Sequence, residues 1–150
     1  MIFYRKDIAY LERAIELSQE SPKSMTAYSV GAVIVLENNH VYTGYSRETS
    51  STNHAEEEAI IKALQQKENI ANATMYVSME PCSQRNSKPK SCSNLIIENQ
   101  FQRVFYAASE PANFVSCVGE KLLSNAGIET YKMGFLEDKA LEANQHILAQ

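Results

Sequence analysis

The chain has 150 residues, of which 44% are hydrophobic and 21% charged, an ordinary balance for a soluble domain with an interior of its own. Its formal charge of −4 and pI near 5.4 exclude the broad basic face that carries non-specific binding to long nucleic acid. Apolar runs such as 32–36 are too short to cross a bilayer, and the N-terminus has no apolar secretory core, so a single cytoplasmic domain over 1–150 is expected.

From Tyr4, the apolar positions Tyr4, Ile8, Leu11 and Ile15 recur at helical spacing and predict an amphipathic helix that Ser21-Pro22 ends. Residues 30–36 and 41–45 read as two strands, with Glu37-Asn38-Asn39-His40 between them, which predicts a hairpin with His40 in a solvated turn. Asn53 is placed to cap a helix with Ala55, Ala59, Ile60, Ala63 and Leu64 on its apolar face. A strand over 74–78, a helix from Cys92 and a strand over 103–107 follow. Val115, Val118 and Leu122 mark a further helix stopped by Gly127, then come a last strand over 128–131 and a closing helix over 136–148. Helix, hairpin, then alternating strands and helices predict a three-layer α/β/α domain on a mixed five-stranded sheet.

His54-Ala55-Glu56 and Glu80-Pro81-Cys82, with nine residues between Cys82 and Cys92, carry the chemistry. One imidazole and two thiols suit Zn2+ better than magnesium or calcium, which seek oxygen ligands. Three protein ligands leave a fourth position open, as catalytic zinc sites do, and zinc lowers the pKa of bound water to about 7. Glu56 then has the position of a general acid-base. The competing reading makes it a capping carboxylate, three residues after Asn53. A closed structural site would need Cys117 as a fourth ligand; a buried thiol is the simpler account of that residue. Between the two ligand cysteines, Arg85, Lys88 and Lys90 place three cations in nine residues, a loop that either stays an ordinary solvated one or holds a phosphate beside the metal.

The spacing His-x-Glu, then Pro-Cys, resembles the cytidine and deoxycytidylate deaminase superfamily over nearly the whole chain. The long, proline-containing loop to Cys92 is similar to that of the riboflavin-pathway pyrimidine deaminases; purine and tRNA adenosine deaminases usually keep two residues there. The stretches 26–31 and 43–48 look like the fungal type, while the His that bacterial members carry after Cys-Ser is Gln84 here. The resemblance implies a small-molecule substrate, a diamino-ribitylamino-pyrimidinone 5′-phosphate, with Zn2+ on His54, Cys82 and Cys92 and Glu56 as proton shuttle. It also implies a homodimer or larger assembly. Tyr28, Arg47, Asn53, Ser83 and the backbone at Ala55 are its candidate substrate contacts, with Arg85 and Lys88 for the phosphate. Two alternatives stay open: deamination of another base, nucleoside or amino-heterocycle, and a non-catalytic zinc-stabilised binding module.

Overall fold

The computed structural model describes residues 2–85, 88–111 and 118–148. Helix α1, Arg5–Ser18, buries Leu11, Ala14, Ile15 and Leu17. Tyr4 is three-quarters exposed as the capping residue, so the apolar stripe begins one turn later than its spacing predicts. The helix lies so close to the sheet that a Cβ on Gly31 would sit 1.9 Å from the carbonyl oxygen of Ala14. Only glycine permits that approach.

Strands β1, Gly31–Val35, and β2, Val41–Tyr45, form the predicted antiparallel hairpin, with Asn39 at φ 69° in the turn. His40 is exposed there and meets Glu68 at 2.6 Å. Helix α2, Ala55–Gln65, crosses β2 where Gly44 leaves room: a Cβ there would lie 2.4 Å from the Ala55 oxygen. Leu64 turns out half exposed, and the helix packs through Ala55, Ala59, Ile60 and Ala63 alone.

Strand β3, Thr74–Met79, is buried at all six positions because both of its edges and both of its faces are covered. Helix α3, Cys92–Glu98, leads to β4, Arg103–Ala108, and helix α4, Gly119–Asn125, to β5, Glu129–Lys132. The strand order is β2-β1-β3-β4-β5; β1 is antiparallel to both neighbours, and β3, β4 and β5 run parallel. Gly127 ends α4 at φ 85°. Val115 and Cys117 lie outside the described residues; Val118, which its spacing places inside the helix, is instead the half-exposed residue that precedes it.

Alternation along β3 divides the interior. Met75 and Val77 pack with Ala59, Ala63, Ile96 and Leu123 on one face; Tyr76 packs with Leu11, Phe105 and Met133 on the other. The closing helix is not continuous. A 3₁₀ turn at Gly134–Leu136 precedes α5, Glu137–Leu141, and a second at Glu142–Asn144 separates it from α6, Gln145–Leu148. Asn144 breaks the run by using its side chain on the backbone of Ser29.

Candidate active site

The ends of three elements meet at one edge of the parallel half of the sheet, where ligands of α/β folds gather. Helix α2 brings His54 and Glu56, the chain leaving β3 brings Cys82, and the first residue of α3 is Cys92. His54 Nδ1 lies 3.6 Å from Cys82 Sγ and 3.3 Å from Cys92 Sγ. The three ligand atoms fall within 4.8 Å of one another. A tetrahedral zinc with Zn–N about 2.0 Å and Zn–S about 2.3 Å separates nitrogen from sulfur by about 3.5 Å, so the donor set and its spacing fit the ion.

The site is dry on the thiol side. Cys92 is fully buried and Cys82 is 8% exposed. The Cys82 thiol is pushed well below the ordinary range by its hydrogen bond from Cys92, with His54 adding to the effect against its burial. Cys92 is pushed up, first by its hydrogen bond to Cys82 and then by burial. Glu56 is 3% exposed; burial raises its carboxyl from the usual 4.5 to about 7, with the neighbouring Cys82 charge in the same direction and His54 opposing. A carboxyl poised near neutrality is suited to taking and giving a proton.

The helix cap separates the two readings of Glu56. The capping residue is His54, one position later than Asn53, and Glu57 Oε1 accepts the His54 N–H at 3.2 Å. Glu57, not Glu56, therefore holds the N3 capping position, and Glu56 faces the thiols. Glu57 also accepts from Arg85 at 3.2 Å and from Lys88 at 2.9 Å, tying the loop between the cysteines to α2.

A cavity of about 400 Å³ opens beside the ligand cluster. Of the residues singled out in the sequence, Tyr28, Arg47, His54, Glu56, Cys82 and Arg85 line it. Tyr28 donates its hydroxyl to Pro111 O at 3.0 Å. Arg47 spends its guanidinium on the protein itself, donating to Ser21 Oγ, Pro22 O, Tyr28 O and Ser29 Oγ at 2.6–3.2 Å. Asn53, Ala55, Ser83 and Lys88 do not border the cavity. Lys88 donates to the Asn53 oxygen as well as to Glu57, Ser83 Oγ accepts from Val118 N–H at 3.1 Å, and Ala55 is wholly buried at the start of α2. Lys90 pairs with Glu98 on the exposed flank. Of the three loop cations, Arg85 is the one that reaches the cavity: its side chain is 3% exposed, and Nε and Nη1 are buried with no hydrogen-bond partner among the described residues.

Three acidic or amide side chains of the lining, Glu80, Gln84 and Glu110, received no role from the sequence. Glu80 stands inside the Glu-Pro-Cys motif, and Glu110 follows the end of β4, where the strand-end rule would look.

The fold and site together define a zinc-type aminohydrolase architecture, with a His-Cys-Cys cluster and a buried carboxyl at the edge of an α/β/α sandwich. The cytidine and deoxycytidylate deaminase zinc-binding region matches residues 4–108, and the chain belongs to that family. It is 41% identical over 137 residues to the diaminohydroxyphosphoribosylamino-pyrimidine deaminase of Schizosaccharomyces pombe, covering 89% of this chain and 34% of that one. The deaminase of the same name from Buchnera aphidicola is 34% identical over 140 residues, 93% of this chain and 91% of its own length. The Aspergillus oryzae Rib2 deaminase in complex with DARIPP superposes with a TM-score of 0.79 at 26% identity, over 91% of this chain and 88% of that one. The chain spans about a third of the length of the first relatives it matches. No helix among the described residues is long and apolar enough to cross a membrane.

Proposed function

We propose that the protein acts as a single zinc-dependent domain that deaminates a phosphorylated ribitylamino-pyrimidine of riboflavin biosynthesis, releasing ammonia. The observation that carries the reading is the convergence of His54, Cys82 and Cys92 beside the buried Glu56, in a cavity that also reaches Arg85. The relatives' names and the Rib2 complex supply the substrate class.

His54 Nδ1 and the two sulfurs are the atoms that would hold the metal. When bound, zinc supplies a water that is nucleophilic at neutral pH. Glu56 works on the protons: its carboxylate takes one from the attacking water and passes it to the ring nitrogen beside the carbon bearing the amine. The same carboxylate then takes the remaining proton of the hydroxyl now on the ring carbon and gives it to the departing amine, leaving the carbon as a carbonyl. A C–O bond forms, the C–N bond breaks and ammonia departs. Burial raises the carboxyl of Glu56, the direction a group that must both take and give a proton needs. The cavity walls at Tyr28 and Met79 hold the ring, with Arg47 fixing the Tyr28 segment from behind. Arg85 supplies two unpaired nitrogens, Nε and Nη1, whose N–H groups the anionic oxygens of the substrate phosphate would satisfy. Lys88, held by Glu57, adds positive charge behind it.

The reading includes a cytoplasmic location and a homodimer or larger assembly, the second tested by light scattering of the purified protein. The substrate is tested by ammonia release from zinc-loaded protein. Turnover of the diaminopyrimidinone ribitylamino phosphate, with weak or no turnover of its dephosphorylated form, cytidine, deoxycytidylate or guanine, is expected. Preference for one of the latter contradicts the assignment.

A further inference from the structure

The segment that walls the cavity ahead of β1 has no helix or strand of its own, so side chains from elsewhere fix its course. Arg47 holds Pro22, Tyr28 and the Ser29 hydroxyl from one side, and the Ser29 backbone is fastened from the other. Asn144 Oδ1 accepts the Ser29 N–H at 2.6 Å, and Asn144 Nδ2 donates back to Ser29 O at 3.0 Å and touches Met79 Sδ at 3.5 Å. Asn144 is fully buried and Ser29 is 1% exposed, so neither bond competes with water. Two outer bonds join the same segments: His146 Nε2 meets Ser24 O at 2.8 Å, and Lys23 Nζ donates to Ala143 O at 3.5 Å. Thr26, Ala27 and Tyr28, the residues between these attachments, line the cavity.

We infer that Asn144 is a positioning residue for substrate binding. Its carboxamide pairs with the Ser29 backbone as a neighbouring strand would, and Met79 against its amide sets that pairing relative to the end of β3 that leads to Cys82. The wall at residues 26–28 is thereby held at a fixed distance from the metal ligands by a residue 115 positions away in sequence, beyond the part of the chain that matches the family.

The inference rests on the proposed substrate, and the test separates the two. Asn144→Ala and Asn144→Leu remove the same hydrogen bonds but leave different volumes, so an effect they share reports the bonds and not a void. With the diaminopyrimidinone ribitylamino phosphate, KM is expected to rise about five- to twentyfold in both, with kcat within about twofold and zinc content unchanged. Hydrogen exchange of segment 24–30 rises in parallel. Should both variants fail to fold, His146→Ala, which opens no fully buried site, is expected to raise KM by a smaller factor. An active parent whose variants keep KM, or lose kcat and zinc together, overturns the positioning role alone. An inert parent overturns the substrate reading and this role with it.

Discussion

The backbone N–H of Cys92 donates a 3.2 Å hydrogen bond to the sulfur of Cys82. It adds to the larger effect of the hydrogen bond between the two thiols, which stabilises negative charge on Cys82 and makes the thiols unequal before any metal arrives, while Cys92 stays fully buried beside that charge. In metal-free Cys117→Ser protein, ultraviolet thiolate absorbance is expected to show one thiolate already present at neutral pH and the second appearing only above the ordinary thiol range. Two thiols that titrate together near that range contradict the asymmetry.

Glu57 joins three structural jobs in one carboxylate, capping α2 and pairing with Arg85 and Lys88. Removing it leaves the Arg85 charge nine-tenths buried without its counter-ion. Glu57→Ala is expected to cost about 2–4 kcal/mol in urea unfolding and to speed zinc loss to a chelator, with Glu57→Gln milder because it keeps an acceptor for the cap. A variant as stable as the parent contradicts this account of the loop.

The raised carboxyl of Glu56 has a stability consequence with a definite sign. Its folded pKa, about 7, lies above the usual 4.5, so between those values the folded state holds a proton that the unfolded chain releases. Its favourable contribution is complete below about pH 4.5 and is lost as pH rises through 7. Above that, burying the carboxylate costs on the order of 3 kcal/mol. In metal-free protein, Glu56→Gln is expected to be stabilising at pH 8 and nearly neutral at pH 4.5, read from urea midpoints. A benefit that grows toward acid pH contradicts the buried carboxyl.

The motif residues were legible in the sequence because the chemistry needs those residue types, and the fold needed only to bring their segments together. The hairpin, the parallel half of the sheet and the helix after Cys92 followed from period and punctuation. Long-range side-chain pairing was not legible. The cap moved from Asn53 to His54 because the carboxylate that answers it is Glu57, and three consecutive glutamates offer no local sign of which will serve. Periodicity placed one helix over 136–148, and it is Asn144, bonded to Ser29, that breaks it. Arg47 looks like a substrate contact by position, yet its donors go to residues 21–29, which only the folded backbone brings near.

Arg85 sets the phosphate preference in this account. Arg85→Gln removes the buried charge while keeping hydrogen-bonding capacity, and KM for the phosphorylated substrate is expected to rise roughly ten- to a hundredfold with little change for the dephosphorylated form. Equal losses on both substrates assign Arg85 to folding alone.

The most direct test of the central claim is ammonia release from the diaminopyrimidinone ribitylamino phosphate by parent and Glu56→Gln proteins, each carrying one zinc per chain. The account predicts turnover by the parent and a loss of at least about a hundredfold in kcat with zinc retained in the variant, the range expected when a proton shuttle is removed. Turnover that survives the substitution contradicts it.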